Sequence, residues 1–189
     1  MNKLKCILLV LLFCSCEKNI TTLEQYSNYP VKYAKTKIAY PTNDFSITIP
    51  KNWKWKVEEY ENEQIILGMD IGETDSITKY TKIISIQKYK SLDKNIELEN
   101  EYKAILKNVE KSSMKPKIIE SGNTKISKYD AYYIYQKLHG ENSIEMISFI
   151  VKSKEKGIFY SLTASCQNLD RIETNFSMMI KCIESFEMN

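Results

Sequence analysis

Apolar and polar residues alternate with a period of two over most of this chain, and twice the period lengthens to that of a helix. Phe45, Ile47 and Ile49 alternate with Ser46 and Thr48 and stop at Pro50, which reads as a strand. Trp53, Trp55 and Val57 alternate with Lys54 and Lys56, predicting a second strand with its three apolar side chains on one face. Residues 64–69 and 81–89 predict two more, with the polar IGETDSIT between them as a loop.

The first helical stretch covers residues 96–111. Leu98, Tyr102, Ile105, Leu106 and Val109 share one face. Glu97, Glu99 and Glu101 come early and Lys103, Lys107 and Lys111 late, as the helix dipole favours, and Pro116 keeps the helix from running on. Residues 117–121 then predict a strand, with a turn at Gly122-Asn123 and another near Tyr129-Asp130. Residues 131–138, 143–151 and 158–164, joined by short glycine-bearing turns, predict an antiparallel meander. The middle run is apolar on both faces, through Ile144, Met146 and Ile150 on one and Ile147, Phe149 and Val151 on the other. Such a strand is covered on both sides, so helices are expected above and below the sheet. Leu169, Ile172, Phe176, Met179, Ile180 and Ile183 form the stripe of a closing helix, with Asn168 placed to cap it. Its Met and Phe residues are expected in the core. Ser185-Phe186 ends the fold.

The beginning of the chain, MNKLKCILLVLLFCSC, has a different character. Lys3 and Lys5 precede a short apolar run over residues 7–13, and Ser15 stands before Cys16. The run is shorter than the ~20 residues a spanning helix needs, so it reads as a cleaved signal over residues 1–15. Phe13 stands where lipoprotein signals usually carry Leu. A cysteine at the cut is the acceptor of a diacylglyceryl group, and two acyl chains such as palmitate, at about 0.8 kcal/mol per buried CH₂, would hold the protein on a membrane. Cys16 is therefore the expected lipidation site, and the alternative is an ordinary secretory signal that leaves Cys16 a free thiol. Residues 16–43, rich in Thr, Asn, Tyr and Lys and broken by Pro30 and Pro41, are expected to form a lipidated N-terminus and flexible tether. Packing of Tyr26, Tyr29, Tyr33 and Tyr40 onto the domain is the competing reading. One domain is expected over residues 44–189.

Charge narrows the partners. The 189 residues carry a formal charge of +3, and without Lys3 and Lys5 there remain 25 basic and 24 acidic residues. They are interspersed, and Arg171 is the only arginine. Nucleic-acid binding needs a concentrated basic face, so none is expected. Cys166 and Cys182 sit at opposite ends of the last predicted strand and helix. Fourteen helical residues between them span about 21 Å, against the ~7 Å a disulfide tolerates, so both are expected as buried free thiols.

The order of elements resembles a known family. FSITIPKNW is similar to the opening strand and Pro-x-x-Trp turn of PsbP-like and MOG-like domains. GIFYSLTASCQNLDRIETNFSMMIKCIESF resembles their closing strand, helix and Ser-Phe end. The resemblance covers roughly residues 40–187 and includes bacterial lipoproteins of the DcrB type. It implies an α+β fold, a three-layer α/β/α sandwich around a central antiparallel sheet. It also implies association with larger assemblies rather than shared catalysis, and it carries over no site residue.

Candidate chemistry is sparse. His139 is the single histidine and falls in a predicted turn, where it is expected to be exposed. No G-x-S-x-G elbow, phosphate-cradling glycine loop or zinc spacing occurs. Glu58-Glu59 and Glu97, Glu99 and Glu101 are carboxylate groups expected on solvated faces. Asp70, Glu73 and Asp75 lack the twelfth-position Glu of a calcium loop. The thirteen tyrosines, with Trp53 and Trp55, are expected mostly in the core, with any exposed ones available to a partner. No catalytic residue, metal or cofactor is expected, and no ligand-binding residue is assigned. The expectation is a non-enzymatic lipoprotein of the cell envelope, most naturally on the outer membrane of a Gram-negative bacterium, facing the periplasm or the surface. Its partners are the membrane, through Cys16, and an envelope protein. The alternatives are a small-ligand module with a pocket between sheet and helix, and, further off, a carboxylate-based hydrolase.

Overall fold

Most of the chain follows its alternation into strands. The computed structural model describes residues 22–74, 81–138, 143–167 and 171–189. In chain order these hold α1 (Leu23–Asn28), β1 (Lys35–Ala39), β2 (Phe45–Pro50), β3 (Lys54–Glu58), β4 (Ile65–Thr74) and β5 (Thr81–Lys90). Then come α2 (Leu98–Lys111), β6 (Lys117–Ile126), β7 (Tyr129–Leu138), β8 (Ile144–Lys152), β9 (Ile158–Gln167), α3 (Ile172–Ile183) and β10 (Glu187–Met188). Seven strands make one antiparallel sheet in the order β3-β4-β5-β9-β8-β7-β6, and β1-β2-β10 make a second, smaller one.

The large sheet is covered unequally on its two faces. On one face, Ile86, Leu162, Phe149 and Tyr133 lie in register across four strands. α3 packs here with Phe176, Met179, Cys182 and Ile183 fully buried. The small sheet adds Phe45, Ile47 and Ile49, also fully buried, to the same cluster. The Ser185 hydroxyl accepts from Thr48 N–H at 2.8 Å, and the Phe186 ring packs 5.6 Å from Phe45 and 5.3 Å from Tyr160. The opposite face carries α2 on a smaller cluster, in which Leu98, Tyr102 and Ile105 meet Tyr89, Ile150 and Phe159. Tyr102 stacks on Tyr132 of β7 with ring centroids 4.6 Å apart. Helices thus flank the meander on both sides, as the doubly apolar β8 requires.

Several expectations change. Residues 22–43 are folded onto the domain and form no tether. Thr22 closes a capping box with Gln25, β1 pairs along β2, and Tyr26 and Tyr40 are buried. The Tyr26 ring lies 5.2 Å from Phe176 of α3, a long-range contact that local composition does not display. β4 runs on through Ile71 to Thr74, because Glu73 and its neighbours keep pairing with β5. β6 passes straight through Gly122-Asn123, paired with Tyr133 and Tyr132. The chain reverses instead at Ser127-Lys128, where Ser127 takes a φ of 54°. Trp53 is buried, but Trp55 and Val57 are exposed because β3 is an edge strand. Asn168 and Leu169 lie outside the described residues, and the N-cap position of α3 is Arg171, in the left-handed region without a side-chain cap bond. Cys166 and Cys182 are buried free thiols.

Candidate functional site

Three buried polar groups organise the molecule. Glu101, on the inner side of α2, is wholly buried, in contrast to the solvated face expected for it. Its carboxylate accepts from the Ser91 hydroxyl at 2.7 Å and from the N–H groups of Leu92 and Asp93, at 2.9 and 3.3 Å. It thereby ties the loop after β5 to the helix. Burial, and then the Glu101 charge, push the Tyr89 phenol far above its ordinary range.

On the other face, Tyr135 donates to Glu145 and meets the Tyr26 hydroxyl at 3.2 Å, while Lys137 donates to Glu145 at 3.0 Å. Burial raises Tyr26 to about 12 and, with the Glu145 hydrogen bond, raises Tyr135 further still. This chain fastens α1 to the sheet, helped by Leu23 N–H donating to Glu120 of β6 at 2.8 Å. The third group is Lys88, which reaches Asp44 at 2.7 Å and Glu155 at 2.5 Å. Burial works to lower the Lys88 pKa, but the two carboxylates outweigh it and raise it. All three groups are satisfied and tie elements together. The buried carboxylates Glu101 and Glu145 lie on opposite faces of the sheet.

Among the described residues two concave surfaces stand out, both on the α2 face. Beyond the reach of α2 this face turns polar: Lys56, Asp70, Ser85, Thr163 and Ser148 stand in register across five strands. Ser85 donates to Asp70 at 2.5 Å, and the Ser148 and Thr163 hydroxyls are 2.9 Å apart. At the β3 edge a groove of about 500 Å³ is lined by Lys54, Trp55, Lys56, Asp70, Gly72 and Ile83. Lys54 and Lys56 point onto this face, while Trp55, 42% exposed, is in register with Ile71 and stands at the edge on the α3 side. Tyr60 closes over Gly68 and accepts from Gln87 at 3.0 Å. A Cβ at Gly68 would come within 2.4 Å of the Tyr60 ring, so glycine is what lets the ring lie on the sheet.

The second concavity, about 300 Å³, lies between the C-terminal half of α2 and the sheet. Ile105 and Val109 face Leu138 and Met146, and Leu92 and Met114 stand at its rim. Gln136 is in its wall, 9% exposed, and its amide oxygen is buried without a hydrogen-bond partner.

The residues singled out in the sequence do not converge. Glu58 pairs with Lys56, Glu97 with Lys152 at 3.1 Å and Glu99 with Lys103 at 2.6 Å. Asp70 and Glu73 lie on a strand rather than a calcium loop. Cys16, His139 and Asp75 lie outside the described residues. Among the described residues no three His, Cys, Asp or Glu side chains gather as a metal would require. Sequence reasoning passed over Gln136, whose one signal is a polar residue in the otherwise apolar row of Tyr132, Ile134 and Leu138.

Comparison of the whole architecture with solved structures is decisive at the level of fold. Cyanobacterial PsbP (CyanoP) from Synechocystis superposes with a TM-score of 0.58 at 12% identity, over 84% of this chain and 95% of its own. The Ran-binding protein Mog1p of Saccharomyces cerevisiae gives 0.53 at 6%, over 83% and 96%. The fold is that of PsbP and Mog1p. LpqN of Mycobacterium tuberculosis, involved in cell envelope biogenesis, shares it with a TM-score of 0.60 at 11% identity, over 82% and 91%. A Bacteroides thetaiotaomicron protein matches at 0.54 and 15% over 84% of this chain, which spans about half (49%) of that protein's length. No family model and no curated protein sequence matches the chain. At these identities the likeness concerns fold alone, and a shared fold leaves function to the site.

Proposed function

We propose that this chain is a non-enzymatic lipoprotein of the cell envelope, held on a membrane by a lipid on Cys16, whose PsbP/Mog1p-like domain is an accessory, partner-binding module of a larger assembly. The observation that carries the reading is how close to Cys16 in the chain the described fold already reaches. Thr22 already caps α1, only six residues after Cys16. Six residues reach about 20 Å at full extension, so the lipid keeps the domain against the bilayer. α1 docks on α3 and on β6–β7. The β3 groove lies on the opposite face and at the far edge of the sheet, six strand spacings or about 29 Å away. The anchor thus leaves that groove turned outward, and Trp55, exposed at the same β3 edge with its ring on the α3 side, is a residue type suited to partner contact.

The likeness to a protein involved in cell envelope biogenesis supports the location, and the likeness to a Ran-binding protein supports binding as the mode of action. An outer-membrane site facing the periplasm or the surface fits the signal. A photo-reactive amino acid at Trp55, introduced in the host of origin, is expected to cross-link one defined protein in native membranes. The same probe at Lys128, in the β6–β7 turn, is expected to capture none. A domain that stays uncoupled from position 55 would overturn the partner-binding reading.

A further inference from the structure

The cavity beneath the C-terminal half of α2 has mostly apolar walls, in which Asn108 is exposed, Ser112 half-buried and Gln136 the one buried polar side chain. Ile105 and Val109 of α2 face Leu138 and Met146 of the sheet, with Met114 69% exposed at the mouth. α2 covers this space lightly. Its apolar side chains are only half-buried, whereas six residues of α3 are fully enclosed. In the wall, Gln136 stands between Ile118 and Met146 of the neighbouring strands. Buried polar atoms in folded proteins are paired almost without exception, and an unpaired one calls for an explanation. The Gln136 amide oxygen has no partner, although a leucine there would continue the apolar face. The Glu101, Glu145 and Lys88 groups have theirs, and the hydroxyls without a partner, those of Tyr89 and Ser177, do not line this cavity. The volume, about 300 Å³, falls at the lower end of sites that enclose small molecules.

We infer that this cavity binds a small, predominantly apolar molecule carrying one hydrogen-bond donor, which the Gln136 amide oxygen accepts. Specificity comes from that single bond. A ligand lacking the donor leaves the amide unpaired, while a more polar one meets apolar walls. The site is separate from the β3 groove and does not depend on the lipid at Cys16.

Two isomers of equal size test it: 1-octanol, which has a donor, and heptyl methyl ether, which has none. The purified chain lacking residues 1–15 would be labelled at its methionine methyl groups and titrated with each while NMR spectra are recorded. Octanol is expected to shift the Met114 and Met146 resonances saturably. Met69 and Met179, buried on the other face, are expected to stay in place. The ether is expected to bind at least tenfold more weakly. Gln136→Leu is expected to remove the preference, so that the isomers bind alike, with unmoved Met69 and Met179 signals reporting an intact fold. The inference is overturned by the absence of saturable shifts up to the solubility of octanol. Equal binding of the two isomers by the unmodified sequence, or a preference that survives in the leucine variant, overturns it as well.

Discussion

Glu101 shows how one side chain decides local order. Of its three donors, the Ser91 hydroxyl also reaches the Asp93 carbonyl at 2.8 Å and the Asp93 N–H the Ser91 hydroxyl at 3.2 Å, whereas the Leu92 N–H goes to Glu101. Replacement by alanine strands the Leu92 N–H, and a buried unpaired group costs about 1–3 kcal/mol. Glu101→Ala is therefore expected to lower stability by about 1–3 kcal/mol, read as a lower urea midpoint at unchanged slope. The thiols report the same physics by a different route. Burial pushes Cys166 up to about 12 and Cys182 up to about 11, so at pH 8 neither offers thiolate to a reagent. Both are expected to stay unlabelled by a thiol-reactive dye until denaturant is added. A raised folded pKa also sets the sign of the pH dependence. Unfolded thiols and phenols ionise from their ordinary values of 9.0 and 10.0, before Cys166, Cys182 and Tyr26 do so in the fold. Their contribution is complete below pH 9 and is lost as pH climbs toward 12, so the urea midpoint is expected to be lower at pH 10.5 than at pH 8.

The two long helices have opposite standing, and this follows from what each covers. α3 encloses Phe176, Met179, Ile180, Cys182 and Ile183 between the two sheets. Phe176→Ala is expected to cost about 3–5 kcal/mol. Ile105→Ala, on the half-buried stripe of α2, is expected to cost clearly less, and backbone amides of α2 are expected to exchange faster than those of α3. Both helices were legible in the sequence because their apolar residues repeat at 3.6, β2 and β5 because theirs repeat at two, and β7, β8 and β9 because apolar, aromatic-rich runs are separated by short glycine-bearing turns. Elements whose order comes from partners were not. β4 beyond Met69 looks polar because alternate side chains sit on the open hydroxyl-lined face. β6 looks broken because Gly122-Asn123 mimics a turn, while pairing with β7 holds it straight. α1 looks like a tether because Tyr26 earns its place from Phe176 and Tyr135, more than a hundred residues away. Gln136 and Glu101 were illegible for a related reason: a polar residue becomes a buried one only when the covering element is known.

For the molecule as a whole, these corrections change how the domain would meet a membrane. A tether of 28 residues would let it stand off the bilayer at any angle. With Thr22 already capping α1, a lipid on Cys16 would lie within about 20 Å of the α1–α3 side and would turn the β3 groove and the α2 cavity outward. The PsbP and Mog1p fold supplies a rigid sheet for this, and the groove and the cavity lie on its lightly covered face. All of this rests on acylation at Cys16, and mass spectrometry of the mature protein from its host's membranes tests that directly. The account expects an N-terminus at Cys16 carrying the mass of its acyl chains; a chain that begins after Cys16, or an unmodified Cys16, would contradict it.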